Sequence, residues 1–220
     1  MLPDNVYSYD LLRPKYNESL PQTNEPVSVH VVDDEQTVLF GTGFKSGFDH
    51  LTSELDKFGG PDVLVVEHAD PDHYDALPAL VEEYPEAKVA IPELDVEEMQ
   101  DAVGVDVDIP LTHDEVRWGI RTIHVPGHTP GNMSFLHEAT DTLIVGDTFV
   151  HKNSFAAASG EWPGTFAPVK ASLNADDEET KANMDILLDY DFDAAFLTHG
   201  LNVPEHSKPE VKTLVDGLNV

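Results

Sequence analysis

Short apolar runs that each stop at a side chain able to bind metal constrain this chain more than any other feature. VLVV (Val63 to Val66) runs into EHADPDH, IRTIHV into PGHTPG with His128, LIVG into Asp147, and AAFLT into His199. A buried strand fixes its terminal loop, so several such ends can converge their side chains on one cleft. Between these runs the chain alternates strand and helix patterns. VSVHVV and TVLFGTG flank Asp33-Asp34-Glu35-Gln36 and predict a hairpin. FDHLTSELDKFGG sets Leu51, Leu55 and Phe58 at helical spacing and stops at Gly59-Gly60. Leu77, Leu80, Val81 and Tyr84 form a second helical face before the short strand KVAI, and IRTIHV, MSFLHE and DTLIVGD make the middle β-rich.

Asp176 to Asp189 predicts an acidic helix with Met184, Leu187 and Leu188 inward. The last helix opens at Ser207 with Glu210 three residues on, a capping-box pattern, and buries Val211, Leu214, Val215 and Leu218. With no repeat, low-complexity tract or linker, the expectation is layered α/β packing in one domain, residues 1–220. A chain of 220 residues can bury roughly 70% of its unfolded surface without staples.

The first loop carries the densest chemistry. His68 and Asp70 are two residues apart, so in extended backbone they point to the same side, while Asp72 and His73 can serve a neighbouring centre. Imidazole nitrogen and carboxylate oxygen suit zinc, iron or manganese, and six or seven such donors are enough for two adjacent ions. An acidic loop with incidental histidines is the competing explanation. The chain has no Cys, which excludes disulfides, Cys-ligated zinc, iron–sulfur clusters and a thiol nucleophile.

Acidic residues outnumber basic ones by 42 to 12, for a formal net charge of −30. In dilute buffer that charge repels itself, whereas molar salt shortens the screening length to ~3 Å. The composition resembles that of cytosolic proteins from salt-accumulating halophiles. It argues only weakly against a nucleic-acid partner, because salt screens repulsion as well as attraction. The first residues, MLPDNVYSYDLLRPKYNESL, lack a basic region followed by an apolar stretch, and no run approaches a membrane span. A cytoplasmic protein with no membrane partner is expected.

HADPDH, PGHTPG, VGDT and LTHG, in that order, resemble the metallo-β-lactamase superfamily, whose metal loop reads H-x-H-x-D-H and is followed by a His, an Asp and a His. VPGHTPGN and LIVGDTF are most similar to the glyoxalase II and lactonase-like branches. The resemblance implies a four-layer αββα sandwich with the site at one edge of the paired sheets. It implies His68, Asp70 and His128 around a first ion, Asp72, His73 and His199 around a second, and Asp147 bridging. It also implies one or two divalent ions, zinc first and iron or manganese as alternatives.

Two positions depart from the family pattern. Asp70 stands where the second His is usual, similar to the Glu of diiron flavodiiron proteins, and Gly41 in FGTG stands where many members have Asp in a D-T-G turn. The chain length leaves no room for a flavin domain. Three carboxylates with a bridging hydroxide would cancel the charge of two divalent ions, so a weaker Lewis acid, less attractive to anions and harder in ligand preference, is expected. Asp70 has a second reading, as a cap of the following turn.

The expected activity is a metallo-hydrolase that directs a metal-activated hydroxide at an ester, thioester or lactone of a small-molecule substrate, with Asp72 orienting the nucleophile or accepting its proton. Only one helix follows His199, which argues against a glutathione thioester. The alternatives are a phosphodiesterase or ribonuclease similar to tRNA 3′-processing endonucleases, with RNA as partner, and a metal-poor, non-catalytic binding protein on the same fold. His124 reads as a structural histidine. His151, Lys152 and Asn153 read as a solvated loop ahead of a substrate-pocket reading, and His206, after the last ligand strand, has contact with substrate as its equally weaker reading. His30, His50, His113 and His137 carry no positional argument.

Overall fold

The structure, a computed structural model, describes residues 5–13 and 25–218, and parts of the amino-terminal stretch searched for a leader lie outside them. A six-stranded sheet runs in chain order through β1 (Val6–Leu11), β2 (Val27–Asp33), β3 (Thr37–Phe40), β4 (Val63–Val65), β5 (Lys88–Pro92) and β6 (Ile109–Leu111). Its first three strands are antiparallel, with His30 opposite Phe40, and β3 to β6 are parallel. The second sheet is built from β7 (Val116–Arg117), β8 (Ile120–His124), β9 (Met133–His137) and β10 (Thr142–Ile144), and a ribbon from β11 (Val150–His151) and β12 (Phe166–Ala167). The last strand, β13 (Ala194–Phe196), pairs parallel with β10 and edges the second sheet.

The layering follows from period-two alternation along the strands. Val38, Phe40, Val63, Val65 and Ala90 meet Met133, Phe135, Ile144, Ala194 and Phe196 in the core between the sheets. Their neighbours Leu39, Leu64, Val66, Val89 and Ile91 turn outward onto α1 (Phe48–Leu55), α3 (Leu77–Glu83) and α4 (Val96–Val103). The short α2 (Pro71–Tyr74) sits inside the metal-type loop. On the other side, Leu136, Leu143 and Ala195 pack on Met184, Leu187 and α6 (Ser207–Leu218). Each fully buried Val, Leu or Phe in these layers contributes about 1.5–3 kcal/mol. The result is the expected αββα sandwich.

Several elements differ from the expectation. The helix from Asp176 to Asp189 divides into α5 (Asp177–Asn183) and a 3-10 continuation, Met184–Asp189. Asp176 caps α5 by accepting from Glu179 N at 2.9 Å. The capping box at Ser207 does not form: its hydroxyl donates to Val203 O, and Glu210 instead accepts from Thr165 N at 2.7 Å. The carboxylate serves a tertiary contact that ties α6 to the residue before β12. The strand β1, whose run VYSYDL is polar and aromatic, is added to the sheet by its pairing with β2.

Contacts at one edge lock the sheets together. Met133 N donates to Glu67 O at 3.1 Å, and Ser28 N donates to Thr198 O at 3.0 Å. These bonds place the loop after β4 beside the start of β9, and the loop after β13 beside β2.

Candidate metal centre

Asp70 occupies the N-cap position of α2 in extended backbone (φ −112, ψ 146), with Pro71 at the first helical position, yet its side chain makes no cap hydrogen bond. Its Oδ2 lies 3.0 Å from His128 Nε2 and 3.6 Å from His68 Nε2. The turn-cap reading is therefore set aside in favour of a carboxylate that faces two imidazoles. On the other side of the cleft, His199 Nε2 lies 3.4 Å from Asp72 Oδ2 and 3.3 Å from Asp147 Oδ2. Asp147 stands between the halves: its Oδ1 is 3.6 Å from His73 Nε2 and its Oδ2 is 3.6 Å from His128 Nε2.

All seven residues singled out from the sequence thus meet in one place. Three groups, His68–Asp70–His128, Asp72–His73–His199 and His68–His73–Asp147, each bring a donor atom from every member within 4.8 Å of the others and could hold a metal ion. The fit to a cation rests on buried polar atoms that have no hydrogen-bond partner among the described residues. Those that face the cluster are Nε2 of His68, Nε2 of His73 and Oδ1 of Asp147. An unmet buried donor or acceptor costs about 1–3 kcal/mol, so several gathered at one point make sense as a site for a cation. Nitrogen and oxygen donors of this kind suit zinc, iron or manganese.

The loops are held by residues to which the sequence pattern assigned no part. Asp95, fully buried, accepts from Ala69 N at 2.9 Å, Thr129 Oγ1 at 2.6 Å and Gly131 N at 2.7 Å, and so ties the loop of Asp70 to the loop of His128. Asn174 Oδ1 contacts His128 Nδ1 at 2.9 Å. Glu67, also buried, lies 2.9 Å from His73 Nδ1 through Oε2. A Cβ on Gly41, which has φ +72, would lie 3.2 Å from Glu67 Oε1. The turn that lacks its usual Asp is thus filled by a carboxylate from the adjacent strand end. Gly127 (φ +127) shapes the His128 turn as expected of PGHTPG, because a Cβ there would meet Thr180 N at 2.2 Å.

Arg13, just beyond β1, is a further member. Its Nη2 donates to Asp72 Oδ2 at 2.8 Å, and its side chain is only 7% exposed. The cleft, about 130 Å³, is lined by Arg13, Asp70, Asp72, His128, Phe155 and His199 among others.

The site's titratable groups also bias one another. Burial pushes the His199 imidazole down, but the Asp147 and Asp72 carboxylates outweigh it and raise it to about 10. His73 is likewise pushed down by burial and held well above its ordinary value by Glu67 and Asp147. His68 goes the other way, lowered by burial and by the neighbouring His73. Burial pushes Asp70, Asp72 and Asp147 up, but the histidines win and hold all three below the usual carboxylate range.

The remaining histidines stay outside the cleft. His124 Nε2 contacts Pro130 O at 2.8 Å, in keeping with a structural part. His151 is buried in β11, whereas the solvated-loop expectation holds for Lys152 and Asn153 alone, both exposed. The β11–β12 pairing accounts for that difference. His206 is 83% exposed beside Asp193 and does not line the cleft. His30, fully buried against Phe196, has no hydrogen-bond partner on either ring nitrogen and is pushed down to about 4 by burial. Of the residues that sequence reasoning passed over, Glu67 had a signal, being the first residue of the loop itself, while Arg13, Asp95 and Asn174 had none.

Residues 23–200 match the family model of the metallo-beta-lactamase superfamily. The chain is 29% identical over 185 residues to the uncharacterized protein YobT of Bacillus subtilis, covering 74% of this chain and 78% of that one. It is 28% identical over 166 residues to the probable metallo-hydrolase MJ0888 of Methanocaldococcus jannaschii, covering 66% and 77%. A hydroxyacylglutathione hydrolase of Aeromonas hydrophila is 30% identical over 116 residues, 51% of this chain and 41% of that protein. Among solved structures, a metallo-beta-lactamase from Pontibacter korlensis superposes with a TM-score of 0.71 at 15% identity, covering 100% of this chain and 97% of the other. TTHA1623 in a di-iron-bound form superposes with a TM-score of 0.62 at 22% identity, covering 84% and 93%. At these identities the structures speak for the fold alone. No helix among the described residues is long and apolar enough to cross a membrane.

Proposed function

Because the chain belongs to the metallo-β-lactamase superfamily of hydrolases, we propose that it is a two-metal hydrolase of ester, thioester or lactone carbonyls, nearest in kind to the glyoxalase II and lactonase-like branches. In this reading His68, Asp70 and His128 hold one ion, Asp72, His73 and His199 hold the other, and Asp147 is shared. Zinc is the proposed ion, with iron or manganese the alternatives that an oxygen-richer donor set admits. The same reading takes residues 1–220 as one domain of a cytosolic, salt-adapted protein.

Divalent ions in this place supply Lewis acidity and make water nucleophilic near neutral pH. The chain's own groups do the rest. Glu67 fixes the proton of His73 on Nδ1, which leaves the Nε2 lone pair facing the cleft. Asp72, kept ionised by its histidine neighbours and gripped by Arg13, orients the attacking water and relays its proton to the leaving group. Asp95 holds the two histidine loops at fixed separation through its three donors.

The observation that carries the proposal is the convergence of unpartnered donors from His68, His73 and Asp147 at the cleft floor. The test is to strip the protein of metal, reload it with zinc in molar KCl, and assay phenyl acetate, a γ-lactone and an RNA oligonucleotide side by side. Zinc-dependent cleavage of the ester or lactone is expected. Cleavage of RNA alone would move the assignment to a phosphodiesterase, and no cleavage with no zinc retained would make it a metal-poor binding protein.

A further inference from the structure

We infer that Arg13 is an anion-binding residue of the cleft and that the substrate carries a carboxylate near its scissile carbonyl, an inference that rests on the hydrolase reading above. Arg13 lies buried among the proposed ligands with one donor used and two idle. Nη2 bonds Asp72, whereas Nε and Nη1 are buried and have no acceptor among the described residues. A guanidinium has two forked edges that match a carboxylate, each including Nη2, and Asp72 takes one N–H of Nη2, so the second edge, completed by Nε or Nη1, is unmet and calls for a planar anion.

The group is presented rigidly. Its Cζ stands 4.4 Å from the Phe155 ring centroid and 5.5 Å from that of Phe44. Phe155 is itself fixed: Glu25 accepts from Phe155 N at 2.8 Å and from Ser154 Oγ at 2.7 Å, and Lys170 Nζ donates to Phe155 O. The same ring stands edge-on to His199 at 5.4 Å. Neutralising Asp72 would need a single donor and no such mounting.

Charge sets the kind of anion. One guanidinium, already bonded to Asp72 in a cleft that Asp70 also lines, favours a singly charged carboxylate over a phosphate dianion. The expectation of a centre unattractive to anions counted only the metal ligands, and Arg13 stands outside that count. The net charge of −30 repels anions at long range in dilute buffer, but with a screening length of ~3 Å in molar salt the short-range contact decides.

The test compares zinc-loaded wild type, Arg13→Gln and Arg13→Lys, checked for folding by circular dichroism, in the same molar KCl. The substrates are phenyl acetate, monophenyl succinate and the phenyl ester of phosphonoacetic acid. Wild type is expected to prefer monophenyl succinate over phenyl acetate in kcat/KM by about tenfold or more, the size of one charge-assisted hydrogen bond. Arg13→Gln should abolish that preference, and Arg13→Lys should keep part of it.

A role confined to bracing Asp72 would slow both esters alike and leave the ratio unchanged, which would overturn the inference. A larger preference for the phosphonoacetate would overturn the carboxylate assignment. Binding separates the two readings if no ester is cleaved. Succinanilic acid, measured by calorimetry against acetanilide, should bind wild type about tenfold more tightly than Arg13→Gln. That result would uphold Arg13 while the hydrolase reading fails, and equal binding would overturn Arg13 as well.

Discussion

Asp70 and Asp72 stand two residues apart in one loop, yet they live in different surroundings. The Asp70 carboxylate is 38% exposed and faces only histidines, whereas that of Asp72 is 13% exposed and gripped by Arg13. The imidazoles divide in the same way. Each half has one imidazole backed from behind, His128 by the neutral amide of Asn174 and His73 by the buried carboxylate of Glu67, while among the described residues His68 has no hydrogen-bond partner on either nitrogen and His199 none on Nδ1. A carboxylate behind an imidazole fixes its tautomer and raises its basicity, so the Asp72–His73–His199 half is prepared for an ion by the protein. The Asp70 half has no carboxylate behind its imidazoles. A chain can therefore depart from its family at one half of a shared centre while the other half is reinforced.

The largest effect expected from this difference is at His199. His199→Ala removes a donor from the prepared half, and hydrolysis should fall by more than the ~100-fold upper end seen when an outer partner is removed. His128→Ala should also abolish hydrolysis but leave one ion bound. Parallel kinetics and metal analysis separate the two, and full activity in both variants would disprove the centre. Next in size, Glu67→Gln should weaken the prepared half by about 10–100-fold in zinc affinity, read by competition with a chromophoric chelator. An unchanged affinity would mean that Glu67 only fills the space beside Gly41.

A smaller change is expected at Asp70. Asp70→His adds the longer nitrogen donor and removes a negative charge, so zinc occupancy of the looser half should rise and the pH–rate curve shift to lower pH, by about one unit or less. Asp70→Ala should lower that occupancy and spare the fold. Identical occupancy and pH dependence in all three proteins would show that Asp70 is no ligand.

The smallest effect is on the metal-free protein's stability. His199 sits at about 10 when folded against 6.5 ordinarily, so its contribution is fully present below pH 6.5 and is lost as pH rises toward 10. Asp70, Asp72 and Asp147 are displaced downward, so theirs is present above about pH 4 and lost below it. Thermal melts of the metal-free protein should peak between these limits. Zinc should remove the alkaline decline, because ligating imidazoles are neutral.

The layers and the seven candidate ligands were legible because each is a local pattern: an apolar run of strand length followed at once by a His or an Asp. The supports were not. Arg13 follows a strand whose run is polar and aromatic and which exists by pairing with β2, so nothing nearby in sequence links it to Asp72. Asp95 resembles any helix-start acid until its three donors are seen in space. Ser207 and Glu210 fit a local capping rule, but a tertiary donor, Thr165 N, claimed the carboxylate. Local rules found the groups that point at the metal, and only the folded contacts revealed the groups behind them.

If two unequal half-sites share Asp147, zinc should load them one after the other. Titrating zinc into chelator-stripped protein and measuring bound metal by mass spectrometry after each addition, in wild type, His199→Ala and His128→Ala, should give two equivalents in separate steps in wild type, with the tight step missing from His199→Ala and the weak step missing from His128→Ala. A wild type that retains no zinc, or binds it with a stoichiometry that neither substitution alters, would rule out the shared, unequal centre.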